Sequence, residues 1–370
     1  KGFQITSEYD RLISHYLSKD TTSIELKYGM NPQQKNSSIE FHQDTPFKVL
    51  NGTMGFINVL DAIHGWLTVR ELDDLLNYPA AISMKHTSLA GLAVGNKISK
   101  NTLGFFGLEN HERESISPLS MAFMKSRICD PLSSFGDFIC ISREVDIFTA
   151  KLIKKEVCDG IAAPGFSQEA LEILKSKKNG KFIILNMDLE YYEKMKKNGW
   201  VELKSLYGIT IKQDSNKYQT EIMGEFSEDE KIDLILANTS LKYAQSNNIS
   251  ISYGGQILGM GCGQQNRVAC VRLAGEKAYN WLLRQSKEAL DYWNSLEGKR
   301  QDKVNLLYDF ANDIKKKIEF KNHYNHSSVI MSRKDPFLEK LKENKLFMAS
   351  DGFFPFPDNI QVANDYFVKY

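Results

Sequence analysis

Two adjacent residues, Lys85 and His86, stand at the end of the apolar run Ala80–Met84 and before the small residues Ser88-Leu89-Ala90-Gly91. Histidine titrates near neutrality and serves as a general acid or base, and a neighbouring ammonium stabilises negative charge developing in a reaction. The apolar run reads as a buried strand, and ligands of α/β sheets gather beyond the carboxyl ends of strands. From position alone, the simpler alternative is a strand end carrying two solvated polar residues.

A second candidate is the run Gly254-Gly255-Gln256-Ile257-Leu258-Gly259-Met260-Gly261-Cys262-Gly263-Gln264-Gln265-Asn266-Arg267. It reads as a Gly-rich turn feeding a helix, where backbone N–H groups attract phosphate or carboxylate and Arg267 adds a charged contact. The spacing is G-x-G-x-G, and Glu276 falls too early for a dinucleotide fingerprint, so a nicotinamide-dependent oxidoreductase is disfavoured. A third candidate is Asp351-Gly352-Phe353-Phe354-Pro355-Phe356-Pro357-Asp358-Asn359, stiff and aromatic enough to line a flat-ring pocket or simply to plug a core. Ser133–Phe138 and Asp159-Gly160 read as structural turns. His64 reads as a packed helix residue, and the i, i+3 pair His323 and His326 is poor evidence for metal. The zinc deaminase signature, H-x-E with P-C-x-x-C, is absent from the sequence.

The elements that must position these residues follow from periodicity. Thr6 or Ser7 caps a helix with apolar positions Tyr9, Leu12, Ile13, Tyr16 and Leu17. A second helical face runs from Phe56 to Leu76. Strands are expected at 80–84, Phe138–Ser142, Gly160–Ala163 and Phe182–Leu185, with a helix from Ser167 to about Lys175. The polar stretch from Asp188 to Lys217 reads as turns and marks a boundary. The capping box Ser227-x-x-Glu230 restarts the chain, followed by a strand near Ser250–Leu258, a long helix from about Gln265, and a helical, Lys-rich stretch to Lys345. Strands alternating with helices predict an α/β architecture.

Composition sets the outer limits. In 370 residues, 47 Lys+Arg face 46 Asp+Glu for a net charge of +1, which argues against a nucleic-acid partner but leaves room for a local anion pocket. A hydrophobic fraction of 42% supplies a core and excludes a mainly disordered chain. No apolar run is long enough for a membrane span. The five cysteines, none in C-x-x-C spacing, point to reduced thiols in a cytosol-like, cytoplasmic compartment. The chain opens on Lys1 rather than Met, so further sequence is expected upstream.

The order of short motifs carries more than any one of them. K-Y-G-M-N-P-Q-Q (Lys27–Gln34), M-K-H-T-S-L-A-G (Met84–Gly91), S-S-F-G-D-F (Ser133–Phe138) and D-G-I-A-A-P-G-F (Asp159–Phe166) come in succession. Q-S-N (Gln245–Asn247), G-Q-Q-N-R (Gly263–Arg267), R-L-A-G-E-K-A (Arg272–Ala278) and D-G-F-F-P-F-P-D-N (Asp351–Asn359) then follow. From about Leu26 to Phe367 the chain resembles the AICAR transformylase family, the 5-aminoimidazole-4-carboxamide ribonucleotide formyltransferases of purine synthesis. The resemblance implies two tandem cytidine-deaminase-like three-layer subdomains without zinc, at 23–190 and 191–370, after an N-terminal helical extension at 1–22. It also implies a homodimer with active sites at the interface.

The implied reaction moves a formyl group from the co-substrate 10-formyltetrahydrofolate to the ribonucleotide amine. Carried over position by position, His86 would be the proton acceptor and Lys85 the transition-state stabiliser. Lys27, Tyr28, Gly136, Asp159, Asn247, Arg267 and Phe353 would surround the ribonucleotide. Val268 and Asp358 would face the folate with Pro355 and Phe356 nearby, and Asp351 would help hold a monovalent cation such as potassium.

The sequence departs from the family pattern at several positions. Lys27 stands for Arg, losing a planar fork; Leu89 stands for Pro, which would loosen the loop presenting Lys85-His86; and Gln33 stands for His or Asn. The family pattern continues past Tyr370 with a Gly-Ser folate loop and a basic tail, so the second subdomain reads as truncated. The upstream IMP cyclohydrolase domain lies outside this sequence, so a separate cyclohydrolase is expected for ring closure. The alternative is a catalytically impaired relative that binds nucleotide or dimerises without turnover.

Overall fold

A computed structural model describes residues 23–41, 44–108, 116–219, 221–323 and 345–366, with isolated positions at Gly2, Thr6, Tyr9, Asn110 and Val368. The expected N-terminal helix and His326 therefore fall essentially outside the described residues.

The architecture is mixed α/β, as the alternation of elements predicts. A six-stranded sheet has the order β3 (Phe47–Asn51), β8 (Ile183–Met187), β7 (Cys158–Ala163), β6 (Asp137–Ile141), β4 (Ala80–Lys85), β5 (Ser88–Val94). Its β6-β7-β8 centre is parallel and its flanking pairs are antiparallel. Side chains alternate between its two faces, as the strand period of two requires. Ile82, Met84, Phe138 and Cys140 point into one core with Trp66 and Val69 of α1 (Phe56–Leu76) and Leu236 of α7 (Glu228–Leu241). Ala81, Ile139 and Ile141 point into the other, with Phe123 of α3 (Pro118–Cys129), Ile153 of α4 (Ile147–Lys155) and Leu174 of α5 (Gln168–Lys175). Short strands β1 (Ser23–Glu25) and β2 (Ser38–Glu40) pair ahead of it, and α2 (Lys100–Phe105) follows β5.

The stretch 188–217, read from its polarity as turns, holds instead a helix, α6 (Leu189–Asn198), and a hairpin, β9 (Val201–Leu206) with β10 (Ile209–Asp214). Asp188 caps that helix and Tyr192 anchors it in the core. The hairpin lies in solvent, so polarity there reflects exposure rather than a lack of regular structure.

A smaller antiparallel sheet, β12 (Ile257–Gly261), β11 (Ile249–Ser252), β13 (Phe347–Ser350), carries α8 (Arg267–Arg284) across one face. The two sheets meet where Ala93 bridges Gln256 and the Val94 N–H donates to the Gly255 carbonyl at 2.9 Å. Helices α9 (Lys287–Ser295) and α10 (Arg300–His323) then pack back on the first half, and α11 (Asp358–Asp365) follows the Phe-Pro loop.

The Gly-rich run is thus two structures rather than one turn. Gly254 and Gly255 turn the chain, and 257–261 is a buried strand. Gly259 and Gly261 let helix 267–284 lie directly on that strand: a Cβ on Gly259 would sit 2.0 Å from the Ala274 carbonyl oxygen. The expected small-residue turn at 88–91 is likewise strand, with Leu89 buried opposite Met84. Leu89 accordingly loosens nothing, because the connection before it is a two-residue turn.

Candidate functional site

Strands 80–85 and 88–94 pair antiparallel up to Lys85 opposite Ser88, leaving only His86 and Thr87 to make the turn. Both have left-handed backbone, with φ of 52° and 63°. Two positive φ values in a two-residue hairpin loop are the signature of a type I′ turn, which ordinarily takes Asn-Gly. A side chain in this region costs roughly 1–2 kcal/mol, and a β-branched one is unusual there. The turn projects the His86 side chain into solvent at the end of a buried strand.

Beneath it lies Asp61, on the second turn of helix 56–76 and 3% exposed. Its Oδ1 accepts the Thr87 N–H at 2.7 Å. Burial pushes this carboxyl up to about 7; the Thr87 N–H and Lys85 oppose that shift, and Asp137 adds to it. Lys85 reaches the other way. Its Nζ donates to the Phe135 carbonyl at 2.5 Å and the Gly136 carbonyl at 3.0 Å. Gly136 has a φ of 70°, and a Cβ there would come within 3.1 Å of that ammonium, so the motif needs glycine.

Lys27 and Tyr28 are strapped over the start of helix 56–76: the Lys27 N–H donates to Met54 at 2.8 Å, and Phe56 donates to the Tyr28 carbonyl at 3.0 Å. The Tyr28 hydroxyl is pushed up by burial and by the negative charges of Asp159 and Asp61. Asp159, at the start of β7, pairs with Lys178 at 2.5 Å. Lys85, His86, Gly136, Tyr28 and Asp159 therefore share one neighbourhood, with the Lys27 side chain exposed at its border.

Asn247, Arg267 and Asp351 form a second set. The Arg267 guanidinium donates to Asn247 Oδ1 at 2.6 Å and Ser350 Oγ at 2.8 Å, and pairs with Asp351. Burial raises the Asp351 carboxyl, but Arg267, Ser246 and the Asn248 N–H outweigh it and hold it below the usual range. Among the described residues no group of three or more His, Cys, Asp or Glu is placed to hold a metal ion. Val268 lies half-buried in the first turn of helix 267–284, whose cap is the Asn266 side chain. Phe353 and Phe356 are 84% and 66% exposed, Pro355 is exposed between them, and Asp358 opens the short helix 358–365. Cys262, five residues before Arg267, contacts Ser88 Oγ at 3.4 Å, two residues after His86, and so ties the two sets together.

Sequence reasoning missed Asp61, Ser350 and Lys178. Asp61 had a legible signal: it is an acid flanked by Val59, Leu60, Ala62 and Ile63 in a helix with an apolar face. Lys178 had none, because only a left-handed turn at 178–179 folds it back onto Asp159. His64, stacked on Tyr243 with its titration lowered by burial, is packed as expected.

Among curated proteins, the bifunctional purine biosynthesis protein PurH of Petrotoga mobilis is 29% identical over 299 residues, covering 75% of this chain and 53% of that protein. The protein of the same name from Clostridium botulinum is 29% identical over 297 residues, with the same coverage. The chain thus spans about half the length of these relatives. The sequence profile of the AICARFT/IMPCHase bienzyme matches residues 1–277 of the 370. On a match that covers most of its length, the chain belongs to the AICARFT/IMPCHase family.

Proposed function

We propose that this chain catalyses formyl transfer from 10-formyltetrahydrofolate to the amine of AICAR, in purine biosynthesis. The observation that carries the reading is an exposed imidazole on a two-residue turn beside a lysine whose ammonium is fixed by the Phe135 and Gly136 carbonyls. The ribonucleotide amine is conjugated with its ring carboxamide and is a poor nucleophile. His86 takes an amine proton as the nitrogen attacks the formyl carbon. The bond from that carbon to N10 of the folate breaks, and N10 takes up a proton. Lys85 lies where it stabilises the oxyanion of the tetrahedral intermediate.

Arg267, oriented by Asn247 and Asp351, supplies positive charge for the nucleotide, and Tyr28 and Asp159 offer polar contacts beside His86. The exposed Phe356, with Pro355, Val268 and Asp358, suits a flat pterin ring, and Phe353 is assigned to the ribonucleotide. A homodimer with active sites at its interface belongs to the same reading, as does a separate cyclohydrolase for the following ring closure.

The test is to supply the purified chain with both substrates and to look for formylated ribonucleotide by mass. Product formation is expected. Nucleotide binding with no formyl product at saturating folate would identify a catalytically impaired binding relative instead.

A further inference from the structure

We infer that Asp61 is the positioning residue of the His86 turn, a buried carboxylate that holds His86 and Thr87 in backbone conformations their own side chains disfavour. The catalytic consequence rests on the reading of His86 as the base; the structural claim does not.

Three observations converge. The turn is unusual for its residues: consecutive non-glycine positions with φ of 52° and 63° persist only where the surroundings over-determine them. The bond that does so comes from another element, since Asp61 Oδ1, on helix 56–76, accepts the Thr87 N–H at 2.7 Å. The carboxyl itself is costly where it stands. It is 3% exposed and packed beneath the sheet, and burial pushes it up to about 7, so its charged form is disfavoured by folding. A group that weakens the fold and grips a strained turn is the pattern expected of a site rather than of a core.

The charged and titratable groups facing it are Lys85 from the hairpin, Asp137 and Cys140 from the adjoining strand, and Tyr28 from the N-terminal strap; from His86 it meets the backbone N–H. Lys85 is drawn toward Phe135 and Gly136, so the two backbone ends of the turn are held from opposite sides. That arrangement fixes the direction in which His86 leaves the sheet.

The test combines amide exchange with kinetics on the full chain. In Asp61→Ala, the Thr87 amide should exchange at least about tenfold faster while the rest of strand 80–85 keeps its protection. Turnover should fall at least about tenfold with ribonucleotide affinity within about threefold, a split between kcat and binding that general loosening would not give. Asp61→Asn, whose amide oxygen still accepts the Thr87 N–H, should restore most of both. If Asp61→Ala does not fold, adding Thr87→Gly should recover folding, because glycine adopts this φ unaided.

Unchanged Thr87 exchange in a folded Asp61→Ala chain, or no recovery by glycine in an unfolded one, would overturn the inference. The reading of His86 fails separately, if His86→Ala keeps its turnover while the exchange result still holds.

Discussion

Lys85 spends two of its three ammonium protons on the Phe135 and Gly136 carbonyls, leaving one for a substrate. Its geometry is therefore set before substrate arrives, which is the condition under which a charge stabilises a transition state at no reorganisation cost. Lys85→Met, similar in length but uncharged, should lower kcat by about 10- to 100-fold with a smaller change in nucleotide affinity, measured by steady-state kinetics and calorimetry. A larger effect on affinity than on kcat would assign Lys85 to ground-state binding. At this scale the sequence was informative about identity and silent about conformation. The pair at a strand end was legible from the apolar run before it. The left-handed turn was not, because His-Thr carries none of the Asn-Gly signal that announces one, and the force that imposes it comes from Asp61, far away in sequence.

Helix 267–284 rests on strand 257–261 through glycines rather than through interdigitated side chains, and this close approach brings Arg267 to Asn247 and Ser350. A methyl group at 259 would meet the Ala274 carbonyl at 2.0 Å, a backbone atom that cannot rotate away. Gly259→Ala should therefore destabilise the chain by about 2–3 kcal/mol in urea unfolding, and should weaken nucleotide binding by shifting Arg267. An unfolding midpoint equal to that of the parent chain would show that the helix can lift without cost. Elements with strong local signals were read well: helix 56–76, helix 168–175 capped by Ser167, and the Ser227–Glu230 capping box all form as their patterns predict. The glycine run misled because glycine for a tight turn and glycine for close packing look alike in sequence. Only the partner helix distinguishes them.

The two halves are joined through buried polar groups, and the site depends on that joint. Arg284 donates to the Ile128 and Cys129 carbonyls at 2.9 and 2.8 Å, and Lys277 pairs with Asp130 at 3.1 Å, bracing the turn that receives Lys85. At the sheet junction, Asp233 accepts the Gly254 and Gly255 N–H groups at 2.9 and 2.7 Å. Lys125 donates to the Val94 carbonyl and to Asn96. Burial raises Asp233 from 3.8 to about 6, opposed by those two N–H groups and by Lys125.

A raised carboxyl stabilises the folded state below its unfolded pKa, and that stability is lost as pH rises through the folded pKa. The contribution of Asp233 should thus be full near pH 4 and gone above about pH 6, a loss of at most about 3 kcal/mol. Lys125 is lowered by burial to about 7, so it stays charged in both states across most of that window and does not confuse the comparison. The stability of the parent chain minus that of Asp233→Asn should fall from pH 4.5 to 6.5 (on the order of 1–3 kcal/mol) in urea titrations, whereas a rise in that difference would contradict the sign. None of this joint was legible in sequence, because each bond links residues tens to hundreds of positions apart with no local pattern to mark them.

The most direct test of the whole account is the formyl transfer rate of His86→Ala against the parent chain, with ribonucleotide affinity measured in parallel. The account predicts a loss of at least about 100-fold in kcat with affinity kept within about threefold. Turnover at the parent rate in His86→Ala would contradict it.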